Sequence, residues 1–123
     1  DTAENACVSA DRKYKDALKF EINIESIASP RIAGKTLIIT DPMLATGSSL
    51  ELSYGAMLTK GRPDEIHIAC IIASQQALDY IQKVLPEENT TIWCAAVDPE
   101  IDSHSYIVPG LGDAGDLAFG EKE

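Results

Sequence analysis

Thr36-Leu37-Ile38-Ile39-Thr40-Asp41-Pro42-Met43-Leu44-Ala45-Thr46-Gly47-Ser48-Ser49-Leu50 joins two different periodicities in fifteen residues. Its first five residues are a short, mostly apolar run, the pattern of a strand buried on both faces. The run ends at Asp41-Pro42. After a Gly/Ser turn, Leu50, Tyr54, Met57 and Leu58 recur at i, i+4, i+7 and i+8, one face of a helix. Ser48 or Ser49 is placed to cap its start, and Gly61 to end it. Ile66 to Ile72 is a second apolar run with β-branched content. Ser74 is then placed to cap a second helix, with Ala77, Leu78, Ile81, Val84 and Leu85 inward and Pro86 past its end. Thr91 to Val97 is a third strand candidate. Strand, helix, strand, helix, strand over 36–97 predicts an α/β domain, a parallel sheet flanked by helices.

On the N-terminal side, residues 1–35 read as a flexible arm or strand region. Asp11 to Lys19 alternates charge with Tyr14, Ala17 and Leu18, a short helix or a mobile loop. Phe20, Ile22 and Ile24 alternate with Glu21, Asn23 and Glu25, the period of a half-buried strand. Pro30 and Gly34 punctuate the next turn. On the C-terminal side, residues 98–123 break the alternation with Pro99, Pro109, Gly110, Gly112, Gly115 and Gly120. A long Gly-rich loop in a compact domain is uncommon unless it is functional or disordered. The Tyr106-Ile107-Val108 centre is too apolar for simple disorder. Trp93 reads as core and His67 as a structural residue of its strand.

A length of 123 residues predicts one domain. Apolar residues at 45% and charged residues at 24% are ordinary globular composition. Ten Lys and Arg against 20 Asp and Glu leave a formal charge of −10. That balance disfavours nucleic-acid partners, which need a basic face, and anionic membranes. Cys7, Cys70 and Cys94 are odd in number and lack metal spacing, so Cys70 and Cys94 read as reduced thiols in apolar runs. The apolar stretches fall short of the roughly 20 residues that span a bilayer. No signal peptide is visible, so a cytoplasmic location is expected. The sequence starts at Asp1 rather than Met, as a processed or truncated product would.

Two short matches fail on context. Gly110-Leu-Gly112-Asp-Ala-Gly115 has the letters of a dinucleotide fingerprint, but that reading needs a helix, then a second strand and an acid about 20 residues on, and the βαβ unit does not fit the sequence. Gly34-Lys35-Thr36 resembles the end of a P-loop but precedes a strand instead of following one.

The chemistry gathers at Asp41 to Ser49. Ligands of open parallel sheets bind outside the carboxyl ends of the strands. The helix that follows offers unpaired N–H groups and the positive end of its dipole. Thr46, Ser48 and Ser49 add hydroxyls, and Gly47 allows close backbone approach. Together these make a phosphate cradle, with Asp41 at the strand end able to accept hydrogen bonds from ribose hydroxyls. The bland alternative is a capped helix after a β–α turn, with Asp41 an exposed turn acid.

Asp41 to Ser49 resembles the phosphoribosyl pyrophosphate (PRPP) loop of the type I phosphoribosyltransferases. Asp41-Pro-Met-Leu-Ala-Thr-Gly47 is similar to the uracil phosphoribosyltransferase family in particular. His104-Ser-Tyr106-Ile-Val-Pro-Gly-Leu-Gly-Asp113-Ala-Gly-Asp116 resembles that family's uracil-binding segment. The resemblance covers 36–120 well and 1–35 loosely. It implies a type I phosphoribosyltransferase-like fold whose N-terminal part, with a second PRPP-contacting arginine, precedes Asp1. It implies the reaction of uracil with PRPP to give UMP and diphosphate, in pyrimidine salvage. By the same resemblance Asp41 and Asp113 are catalytic. PRPP and its 5′-phosphate fall to Arg12, Asp41, Pro42, Met43, Leu44, Ala45, Thr46, Gly47, Ser48, Ser49 and Asp113, and uracil to Tyr106, Ile107, Gly112, Asp113 and Ala114. Mg2+ is implied as cofactor, held mainly by PRPP rather than by side chains. GTP binding and a homodimer or higher homo-oligomer are implied as well.

Several residues carry two readings. Arg12 is a PRPP contact or a solvated charge. Tyr106 covers the base or belongs to the core. Asp113 lies near the reacting centre or, with Asp116, serves turn chemistry. His104 is a loop hydrogen-bonder before it is a general base. Ser48 stands where the family usually has a glycine: at a positive φ it costs about 1 kcal/mol, and otherwise its hydroxyl adds a phosphate contact. The competing functions are a non-catalytic UMP- or phosphate-binding fragment or regulator on the same fold, and a phosphoribosyltransferase for another base.

Overall fold

The computed structural model describes residues 2–16 and 19–120, with side chains described for residues 2–8 and 27–120. Strands β1 (Cys7–Asp16) and β2 (Lys19–Ala28) pair antiparallel, from Cys7↔Ala28 to Asp16↔Lys19, with irregularities after Ser9 and Tyr14. The strand expected at Phe20 to Ile24 lies within β2. The helix or loop expected at Asp11 to Lys19 is corrected: Asp11–Asp16 are strand, and Lys19 opens β2. Ala17 and Leu18 lie outside the described residues. Cross-strand pairing with an alternating partner overrode a weak local signal.

The centre is a three-stranded parallel sheet in the order β3 (Thr36–Leu44), β4 (Glu65–Ser74), β5 (Thr90–Asp98). Helix α1 (Ser48–Met57), extended by a 3-10 turn at Leu58–Lys60, crosses from β3 to β4. Helix α2 (Gln75–Val84) crosses from β4 to β5. The alternation expected over 36–97 is therefore present. The register runs from Thr36↔Glu65 to Leu44↔Ala73 and from Ile66↔Thr90 to Ser74↔Asp98, so the carboxyl ends of the strands lie together. Past β5, the two-residue strands β6 (Glu100–Ile101) and β7 (Ile107–Val108) pair antiparallel, and helix α3 (Ala114–Phe119) follows.

Leu50 and Tyr54 of α1 and Ala77 and Ile81 of α2 pack with Ile66, Ile68 and Cys70 of β4 in one cluster. Both helices therefore cover the same face of the sheet. Parallel crossovers are right-handed, and strands added successively in one direction put every such helix on one side. The expectation that the Thr36–Thr40 strand is buried on both faces is corrected for this reason. Burial along β3 alternates, and Ile38 is 65% exposed on the other face. Ile71 is 64% exposed and Trp93 61%, so Trp93 is not core. Its Nε1–H donates to His67 Nδ1 at 3.1 Å, and the two rings stack with centroids 6.4 Å apart.

The middle strand carries the core. Ile66 and Ile68 are fully buried. Cys70, also buried, has its thiol pushed up to about 12 by burial first and then by Cys94 and Asp41. Truncating a fully buried Ile to Ala removes about 2–5 kcal/mol, and Ile68→Ala is expected to fall in that range by urea unfolding. Only the thiolate alkylates rapidly. In iodoacetamide at about pH 8, mass spectrometry of the folded protein is expected to find exposed Cys7 modified and Cys70 intact.

Candidate functional site

Strand β3 runs to Leu44 rather than ending at Asp41-Pro42. Asp41 is thus a strand residue, paired in register with Cys70. Its Oδ1 accepts the Met43 N–H at 3.0 Å, which turns the carboxylate along the chain toward the loop. Leu44, almost fully buried, anchors the strand end in the core. Three residues then separate strand from helix.

Gly47 takes the N-cap of α1 at φ 82°, and the helix has no side-chain cap. The expected cap at Ser48 or Ser49 is corrected: both are the first helical residues. The positive φ falls on Gly47, where it carries no Cβ penalty. Ser48 is not among the described residues with positive φ, so serine is unstrained there. Its Oγ lies 2.8 Å from Thr46 Oγ1, gathering two hydroxyls over the helix start. The first N–H groups of any helix lack intrahelical partners. Asp41, Met43, Leu44, Ala45, Thr46, Gly47, Ser49 and Leu50 line a hollow of about 200 Å³ there. A larger opening of about 850 Å³, lined by residues of 2–6 and 29–38 with Thr40 and Met57, contains none of the residues 41–49.

Helix α2 backs this loop. A Cβ on Gly47 would meet Tyr80 Cδ1 at 3.0 Å and Ile81 Cγ1 at 3.3 Å. Ser74, fully buried, caps α2 as expected by accepting the Ala77 N–H at 2.9 Å. Its own hydroxyl donates to the Ala45 carbonyl. Tyr80 Oη donates to Glu51 of α1, and that bond raises the phenol above its ordinary value.

The C-terminal segment comes to the same end of the sheet. Ala45, Ile72 and Ile107 form a second buried cluster, with Met43 and Ile101 against it. The turn after Ile107 contains a cis Val108–Pro109 bond and Gly110 at φ 48°. A Cβ on Gly110 would lie 1.9 Å from the Ile107 carbonyl oxygen, so no other residue fits this turn. The Asp98 carboxylate accepts the Gly110 N–H at 3.0 Å and ties the turn to the end of β5. Tyr106, half-buried, stacks on His104 with centroids 6.0 Å apart rather than entering the core. The Asp102 carboxylate accepts from His104 N at 2.8 Å and Tyr106 N at 2.9 Å. These bonds, Tyr106 first, hold it below the usual carboxylate range.

Asp113 caps α3: its Oδ1 accepts the Asp116 N–H at 2.9 Å. Gly112 takes φ 76°, and Ala114 opens α3. Arg12 belongs to β1, but its side chain lies outside the described residues. Among the described residues no group of three or more His, Cys, Asp or Glu is placed to hold a metal ion. Nor, among them, is any helix long and apolar enough to cross a membrane. Sequence reasoning missed Asp98 and Asp102 as loop anchors and gave Ser74 only its capping role. An acid at the end of the third strand was the available signal for Asp98.

The family model "Uracil phosphoribosyltransferase" matches residues 14–121. The uracil phosphoribosyltransferase of Porphyromonas gingivalis is 73% identical over 122 residues, which is 99% of this chain and 56% of that protein. That of Thermococcus kodakarensis is 41% identical over 115 residues, 93% of this chain and 48% of that protein. The solved structure of the AQ2163 protein from Aquifex aeolicus superposes with a TM-score of 0.79 at 30% identity, covering 92% of this chain and 51% of that one. The chain spans about half the length of the curated relatives it matches. A parallel sheet flanked by helices, a match over most of its length and close relatives of one name agree: this chain belongs to the uracil phosphoribosyltransferase family.

Proposed function

We propose that this chain carries the sugar-phosphate loop and the base-reading segment of an enzyme that transfers a phosphoribosyl group from PRPP to uracil, giving UMP and diphosphate. The packing of Ala45 and Ile107 on Ile72 carries this reading, because it seats the two segments side by side at the carboxyl end of the sheet. One ligand with a phosphate at one end and a base at the other spans them.

In this reading residues 42–49 wrap the 5′-phosphate with the first amides of α1 and the hydroxyls of Thr46, Ser48 and Ser49. A helix start attracts anions through its free N–H groups and its dipole, which counters a chain charge of −10 locally. Asp41 accepts from the ribose hydroxyls. Ile107, Gly112 and Ala114 read the uracil edge with backbone groups, and Tyr106 lies beside them. The new bond joins uracil N1 to the sugar C1′ as the C1′–oxygen bond to diphosphate breaks, and the N1 proton passes to solvent. Positive charge develops on the sugar carbon, where the carboxylates of Asp41 and Asp113 stabilise it. Most of the acceleration is positioning. Mg2+ entering with PRPP supplies neutralisation of the leaving diphosphate. The ion would be held mainly by PRPP itself rather than by side chains of this chain. Arg12 adds a cation for PRPP. The same proposal takes the protein as a cytoplasmic homo-oligomer with no nucleic-acid or membrane partner.

Calorimetric titration with UMP, against orotidine monophosphate and AMP, tests the assignment. Selective UMP binding is expected, and equal binding of all three would remove uracil from it. Gly110→Ala is expected to weaken UMP binding at least about tenfold, some 1.4 kcal/mol, while the circular dichroism of the fold is unchanged.

A further inference from the structure

Two polar side chains at the carboxyl edge of the sheet reach from the scaffold into the two ligand-reading segments. Ser74 ends β4 and Asp98 ends β5, and they are register partners. Adjacent strands hold their backbones about 4.8 Å apart. Ser74 Oγ donates to the carbonyl of Ala45, in the phosphate loop. Asp98 Oδ2 accepts the N–H of Gly110, in the turn that follows Ile107. Each bond is long-range, bridging 29 residues in one case and 12 in the other. Ala45 lies in the loop ahead of α1, outside its helix ladder, and Gly110 sits in a turn no other residue fits.

We propose that Ser74 and Asp98 are positioning residues, a pair of pins on neighbouring strand ends that set the phosphate loop and the base-reading turn at a fixed separation before ligand arrives. This deepens the phosphoribosyl-transfer reading and rests on it. The rigid part is the strand pairing. The pins pass that rigidity to two irregular segments, so binding does not have to order them. The pins differ in chemistry because the loops present different groups. A carbonyl needs a donor, which the serine hydroxyl supplies. An amide needs an acceptor, and a carboxylate is the stronger kind.

The test separates the pins with two ligands. Ribose 5-phosphate engages the phosphate loop alone, and UMP engages both segments. Ser74→Gly removes the bond to Ala45 while leaving a good N-cap residue for α2. It is expected to weaken both ligands about tenfold. Asp98→Ala is expected to weaken UMP about tenfold and leave ribose 5-phosphate unchanged, and Asp98→Asn, which keeps an acceptor oxygen, restores UMP binding. Equal weakening of both ligands in Asp98→Ala, or no change in Ser74→Gly, overturns the proposal. Amide hydrogen exchange on the same proteins decides it without ligand. Faster exchange confined to 44–49 in Ser74→Gly and to 107–112 in Asp98→Ala upholds the pins. Unchanged or uniformly faster exchange overturns them. If the unaltered chain does not bind UMP, that failure belongs to the ligand site of the phosphoribosyl-transfer reading and not to the pins, which exchange still decides.

Discussion

Parallel pairing of β4 with both neighbours is the constraint on which the other features rest. It aligns three strand ends on one edge, and the phosphate loop and the base-reading segment lie at that edge. It also demands crossovers long enough to return the chain, and these are the helices that bury Ile66 and Ile68. Core and site are consequences of one register. A slip of one residue in β4 would turn Ile66 and Ile68 outward and move Ser74 away from Ala45 at the same time.

An acidic chain proposed to receive a polyanion faces an electrostatic problem at long range that local groups can solve at short range. A formal charge of −10 repels a phosphate ester across solvent. At the loop, the field that matters comes from the first amides of α1 and from hydroxyls a few ångströms away. Gly47 makes that geometry possible by taking the positive φ itself, which leaves Ser48 free to enter the helix. The serine that departs from the family's usual glycine therefore sits one residue past the strained position.

Much of this was legible in the sequence. The apolar runs at 36–40, 66–72 and 91–97 and the helical faces between them marked the α/β order. Ser74 read correctly as a cap because an N-cap is a local device, visible within three residues. What did not read through was non-local. Whether a strand is covered on one face or two depends on strand order, which no single apolar run encodes, and so Ile38 and Trp93 were misplaced. The pairing of Asp11–Asp16 with Lys19–Asn23 depends on a partner strand. The Asp41–Ser49 loop was recognisable as a contiguous motif. The contacts of Ser74 with Ala45 and of Asp98 with Gly110 join distant residues and appear only once the register is known.

Trp93 is the single tryptophan of the sequence, and it lies on the face of the sheet that neither α1 nor α2 covers. The protein's indole emission is therefore an optical gauge of that face. With the ring largely in water, its emission is that of a solvated indole at long wavelength. Any surface that closes over Ile38, Ile71 and Trp93 dehydrates the ring and shifts the emission to the blue. Events inside the phosphate loop, on the opposite side of the β-strand pleat from Trp93, leave the colour of the light alone.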